Sequence, residues 1–204
     1  MPSETFKNLS PNKKNMIMQA AKREFSQVPF HEASINHIIK EAGISRGSFY
    51  MYFENKEDLY MTLAEHQMER HFKFLFQTLK ENRGDLFMTY KSLYDILYEK
   101  ISKHKKANFE KNMLMNMNFH SNSLMIRENK VHYHKYSDQF LNAIDAQHLV
   151  LNTTEDLLDI IDMLTLLLVH SLVISLKEKE KQPIISQRYK RQVDIIECSV
   201  KKGR

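Results

Sequence analysis

Apolar residues recur at helical spacing along most of this chain. Ile17, Ala20, Ala21 and Phe25 line one face of a first helix. Ser10 is placed to cap it, and Pro11 suits its first position, where the missing N–H is not needed. Pro29 ends it by about Gln27, because the residue before a proline is pushed out of the α region. Ile35, Ile38, Ile39 and Ala42 mark a short second helix capped by Ser34. Gly43 follows at the point where a chain leaving a helix favours a left-handed residue. Ser45 caps a third short helix running to about Met51, and Asn55 caps a fourth, with Asp58 three residues on as a capping-box acid.

From Lys56 onward the pattern predicts helices over 56–82, 85–104, 107–118, 123–145, 154–180 and 185–201. Gly84 separates the first two, and Asn152–Thr154 opens the fifth. No proline lies between Pro29 and Pro183, and after Gly47 only Gly84 and Gly203 remain. So few breakers, with no alternating β-branched pattern, predict an all-α fold. The longest apolar run, Met163 to Leu176, is interrupted by Thr165, His170 and Ser171 and follows Asp156, Asp159 and Asp162 on one face. A membrane span needs about 20 apolar residues. The run reads as a buried helix, and no membrane partner is expected.

Composition adds bounds. Apolar residues make up 42% and charged residues 27%, as in chains that bury a real core. The single cysteine, Cys198, excludes an intramolecular disulfide framework and fits a reducing cytoplasm. The net charge of +5 suggests nucleic acid, but its distribution does not: residues 1–60 carry +1, 61–176 carry −1 and 177–204 carry +5. Within residues 7–53, however, 7 basic side chains face 3 acidic ones. A modest basic face is available near the N-terminus. No nucleophile motif, phosphate loop or metal-ligand spacing points to an enzyme, a cofactor or a metal. His132 and His134, two apart, point in different directions on a helix and cannot chelate together.

The segment "AGISRGSFYMYFENKEDL" stands out, because it holds two of the four glycines and the rings of Phe49, Tyr50, Tyr52 and Phe53. Ile38, Ala42, Ile44 and Phe49 would pack two helices across a turn at Gly43. That is a helix-turn-helix, a unit that lays its second helix in the DNA major groove. On residue types alone a plain helical hairpin is the alternative.

The longer segment "ASINHIIKEAGISRGSFYMYFENKEDLY" resembles the DNA-binding segment of the TetR family of bacterial transcriptional regulators. Ser34, Ile38, Ala42, Gly43, Ile44, Ser45, Gly47, Phe49, Tyr50, Tyr52, Phe53, Lys56 and Leu59 match the family pattern. Ile39 departs from the usual alanine and Pro29 from a frequent glycine, both at packing positions; His37 replaces a common aspartate. With the first helix the resemblance covers residues 10–60. It implies an N-terminal three-helix helix-turn-helix domain over 1–55 and a larger helical effector-binding and dimerisation domain over 56–204.

The resemblance also implies roles. Gly47 would let the backbone approach the groove, and Arg46 and Ser48 would reach base edges or phosphates. Tyr50 and Tyr52 would bond phosphates, Met51 would touch a thymine methyl, and Ser34 and Ser45 would join their helix N-termini in holding phosphates. Lys56 would act on phosphate as a point charge. Phe49 and Phe53 read as core.

For the second domain, the fifth long helix is apolar on more than one face, and the last offers a further stripe. Leu164, Leu168, Leu172, Tyr189, Val193 and Ile196 are the candidate seam of a four-helix homodimer, with an intrachain core as the alternative. Met113, Met117, Phe109 and Tyr133 are candidates for a pocket taking a small apolar or aromatic effector, against plain core packing. The expected function is a bacterial, cytoplasmic repressor that binds a palindromic double-stranded DNA operator and is released by its ligand. The alternatives are an activator, a regulator controlled by a protein partner, or a helical ligand-binding protein.

Overall fold

The computed structural model describes residues 2–103, 109–116 and 138–201. Its helices are α1 (Glu4–Lys7), α2 (Pro11–Gln27), α3 (Ile35–Glu41), α4 (Arg46–Tyr52), α5 (Lys56–Glu81), α6 (Leu86–Lys103), α7 (Phe109–Asn116), α8 (Thr154–Lys177) and α9 (Gln182–Val200). Residues 138–142 are also helical. Among the described residues there is no strand, only a bridge between Leu149 and Lys201. The fold is all-α.

The caps work as the side chains dictate. Ser10, Ser34 and Ser45 each accept the N–H three residues on, from Lys13, His37 and Ser48. Asn55 Oδ1 accepts from Asp58 N at 2.8 Å, and the Asp58 carboxylate reaches back to Glu54 N at 3.1 Å. Thr153 and Asp156 close a reciprocal capping box on α8. The N–H groups of Asn152 and Thr153, together with the Thr153 hydroxyl, hold the Asp156 carboxyl below the usual carboxylate range.

Three boundaries differ from the sequence reading. α1 is an additional helix, capped by Ser3 through Phe6 N. α8 ends at Lys177, before a 3-10 turn at Lys179–Lys181. α9 starts at Gln182 rather than at 185, because Pro183 fits a first turn, where a missing N–H costs nothing. Most of the expected 123–145 helix lies outside the described residues.

The chain divides into two compact units, Met1–Phe72 with His104–Met117, and Lys73–Lys103 with Asn118–Arg204. In the first, Ile17, Ala20, Ala21, Phe25, Ile38, Phe49, Phe53 and Leu59 are buried around α2, α3 and α4. Full burial of each large side chain is worth about 1.5–3 kcal/mol. Ile39 is only half-buried, so its extra bulk over alanine lies at the edge of this core. Phe25 packs edge-on against Tyr60, which in turn meets Phe109 of α7.

In the second unit α6, α8 and α9 pack together. Their core carries tyrosines whose hydroxyls are satisfied: Tyr90 with Thr165 at 2.7 Å, Tyr94 with Ser175 at 2.6 Å, and Tyr189 donating to the Tyr90 carbonyl at 2.9 Å. Burial pushes the Tyr189 hydroxyl far above its ordinary range. The α5–α6 turn requires glycine: Gly84 has φ +86°, and a Cβ there would stand 2.6 Å from the Ala143 carbonyl oxygen. The most apolar 18 residues of Glu155–Lys177 have mean hydropathy 2.1, and the stretch is by length and composition long and apolar enough to cross a membrane. Here it is a core helix, with Leu157, Ile160, Ile161, Leu164, Leu168, Leu172 and Leu176 buried.

Candidate nucleic-acid interface

The α3–α4 turn is built by backbone chemistry. Ala42 N, Gly43 N and Ile44 N donate back to the carbonyls of Ile38, Lys40 and Ile39, and Gly43 turns the chain at φ +61°. A Cβ on Gly43 would meet nothing within 4 Å, so its glycine is required by conformation, not by space. Ser45 then caps α4, its Oγ accepting from Ser48 N at 3.0 Å and lying 2.9 Å from Ser48 Oγ.

α4 has two opposed faces. Phe49 is fully buried, and Phe53 follows it into the core just past the helix. Arg46, Gly47, Tyr50 and Met51 face out, with Tyr50 47% and Met51 60% exposed. Both therefore present large side chains to solvent from a helix of only seven residues. Gly47 carries the same message: a Cβ there would meet only Ser45 Oγ, at 3.9 Å. The chain's own packing does not require that glycine.

Several expected site residues are placed differently. Tyr52 is 5% exposed and packs its ring near Phe6, 6.1 Å between centroids, so its ring is part of the core. The sequence signal that could have shown this is Phe6, an aromatic residue ahead of the cap at Ser10. Ser3 completes that contact, donating from N to the Tyr52 carbonyl and from Oγ to the Met51 carbonyl, and so covers the end of α4. Lys56 is half-buried; its ammonium donates to the carbonyls of His31 and Ala33 and lies over the Phe30 ring. Two of its three donors are thus spent tying the 29–33 loop to α5. Ser34 is half-buried, its N–H donating to Glu24 Oε1 at 2.8 Å.

The candidate pocket and seam residues fall as follows. Phe109 and Met113 are buried in the same unit as the helix-turn-helix, beside α2, and serve its core. Met117 and Tyr133 lie outside the described residues. Leu164, Leu168, Leu172, Tyr189 and Val193 are buried within a single chain, because α6 already covers that face of α8 and α9; Ile196 is half-buried. The outward apolar side chains are instead Leu158, Met163 and Leu166 of α8 and Ile184 and Ile195 of α9. Among the described residues no three His, Cys, Asp or Glu side chains converge as metal ligands. Sequence reasoning missed Asn36, exposed on α3, whose Oδ1 lies 3.5 Å from Arg46 Nη1.

A helix-turn-helix whose second helix turns a cation, a bare backbone and two large side chains outward has the form of a DNA-reading head. Comparison with known proteins agrees. The model for bacterial regulatory proteins of the tetR family matches residues 17–62, and that for the tetracyclin repressor-like C-terminal domain matches residues 85–198, more than half the chain. The chain belongs to the TetR family of bacterial transcriptional regulators.

The uncharacterized HTH-type transcriptional regulator YuxN of Bacillus subtilis is 32% identical over 94 residues, which are 46% of this chain and 32% of that protein. The chain spans about a third of the length of the curated relatives it matches. Among solved structures, the fatty acid degradation regulator FadR from Bacillus halodurans superposes with a TM-score of 0.62 at 19% identity, over 91% of this chain and 96% of that one. FadR from Bacillus subtilis in complex with stearoyl-CoA gives 0.59 at 16% identity, over 88% and 96%. At such identities the likeness establishes the fold.

Proposed function

We propose that this chain is a homodimeric repressor that binds a two-fold-symmetric DNA operator and is released by an apolar small molecule held in its C-terminal helical domain. The observation that carries the reading is the outer face of α4, where Arg46, Gly47, Tyr50 and Met51 stand exposed above a core that needs none of them. Arginine and a tyrosine hydroxyl suit base edges and phosphates, and Met51 suits a thymine methyl.

One seven-residue helix reads too few base pairs for a specific operator, and a two-fold pair of heads doubles the site. The outward apolar residues Leu158, Met163 and Leu166 favour a second copy as the cover of α8, only 39% of whose most apolar window is buried within one chain. Release follows if the ligand binds better to a dimer whose heads are spaced wrongly for adjacent grooves. A long-chain acyl thioester is the first effector class to test, because the similarly folded FadR of Bacillus subtilis holds stearoyl-CoA. A bacterial cytoplasmic location fits the family.

Selection from a random duplex library tests the reading. A palindromic sequence should emerge, protected by wild type and not by Tyr50→Ala, while the variant keeps its helical signal and its dimer. Recovery of no enriched sequence would overturn the proposal.

A further inference from the structure

We infer that Asn36 is a positioning residue for base readout, holding the Arg46 guanidinium so that its free edge is preset for a guanine. The inference rests on the DNA-reading function proposed above. Asn36 Oδ1 accepts from Arg46 Nη1 at 3.5 Å across the α3–α4 turn. On its other side the Arg46 guanidinium carbon lies 5.8 Å from the Tyr50 ring centroid. Tyr50 is itself set edge-on against the buried Phe49 ring, 5.2 Å away with planes at 88°. An exposed cation is therefore referenced to the head's core through a ring and to α3 through an amide.

An arginine without such supports samples many rotamers, and ordering them on binding costs affinity. Here part of that order is already present. With Nη1 directed at Asn36, the Nε–Nη2 edge has no protein partner among the described residues. That edge offers two parallel donors, which match the O6 and N7 acceptors of guanine in the major groove. The bare backbone at Gly47, next in sequence, leaves room beside it. Arg23 marks the contrast, since its guanidinium is paired with Glu41 and is spent inside the chain.

The test uses the full chain and the selected operator, with every base pair of a half-site substituted in turn at fixed salt. Affinities are measured for wild type, Asn36→Ala, Arg46→Ala, the double variant and Asn36→Asp. Wild type should prefer guanine at one pair by roughly tenfold or more, and Arg46→Ala should erase that preference. Asn36→Ala should lower the preference roughly three- to tenfold at the same pair and leave the others unchanged. The double variant should match Arg46→Ala, and Asn36→Asp, which still offers an acceptor, should keep the preference. Intact discrimination in Asn36→Ala, a change at a different pair, additive effects, or a uniform loss at all pairs would each overturn the inference. Failure of wild type to select any sequence overturns the DNA-reading function, and this inference with it, before any variant is compared.

Discussion

The side-chain amide of Asn112, on α7, donates to the main-chain carbonyl of Phe25, near the end of α2, at 3.1 Å. In an uninterrupted helix that carbonyl would accept from residue 29, but residue 29 is proline and has no N–H. The same amide also donates to the Ser26 carbonyl at 2.9 Å. A residue 87 positions away thus supplies the donor that a local proline removed. Phe109 on the same helix reaches Tyr60, and burial raises the Tyr60 hydroxyl above its ordinary range. α7 is therefore part of the structure that holds the DNA-reading head.

Asn112→Ala should lower the stability of the head by about 1–3 kcal/mol, since two partly buried carbonyls lose their donor. Asn112→Asp should do no better, because a carboxylate cannot donate. Urea unfolding gives the magnitude, and faster amide exchange at Val28, whose N–H donates to Glu24 within the last turn of α2, locates the damage.

Three glycines should give three different outcomes on replacement by alanine. Gly43→Ala should cost about 1–2 kcal/mol through its left-handed backbone alone, since the space is open. Gly84→Ala should cost more, because the new Cβ also collides with the backbone at Ala143 and Asp145. Gly47→Ala should leave stability unchanged or raise it by up to about 1 kcal/mol, alanine being the better helix former. It should nevertheless lose operator binding. Thermal melting and mobility-shift titration on the same three variants separate these cases, and equal operator affinity for Gly47→Ala would remove Gly47 from the interface.

The Lys91–Glu197 cluster gives a pH dependence of known sign. Burial pushes the Glu197 carboxyl up, but hydrogen bonds from Lys201 and Lys91 outweigh it, leaving it below its ordinary value of 4.5. Lys91 is likewise disfavoured as a cation by burial, and Asp194 and Glu197 outweigh that, raising it. A depressed carboxyl contributes stability above its unfolded value, lost as pH falls through the folded one. Wild type should therefore exceed Glu197→Gln in stability near neutral pH, with the gap closing as pH falls below about 4.5. Denaturant unfolding from about pH 3 to pH 7 checks this.

In the proposed dimer, Leu166→Glu should leave a folded monomer, because Leu166 is 42% exposed on the outward face of α8. Leu164→Glu, two residues away and fully buried, should unfold the second unit instead. Sedimentation and far-UV circular dichroism on the two proteins distinguish an intermolecular face from an intramolecular one.

What the sequence determined by itself is local. Serine before an apolar run fixes a cap, Pro11 a helix start and Gly43 a turn, because each acts within three or four residues. So, among the described residues, most helix positions and the helix-turn-helix are legible, and with them the outward set Arg46, Gly47, Tyr50 and Met51. What the tertiary structure decided is which apolar or polar face meets which neighbour. Tyr52 looks like its neighbour Tyr50 in sequence, yet Tyr52 is buried with its ring near Phe6, while Tyr50 is left 47% exposed. Leu164 and Leu166 are both leucines of one apolar run, and only the packing of α6 against α8 makes one core and the other surface. Lys56 reads as a free charge until the 29–33 loop offers it two carbonyls. Asn36 and Asn112 carry no local signal at all, since each acts on a residue 10 or more positions away. Burial and long-range hydrogen bonds depend on distances that only the folded chain creates.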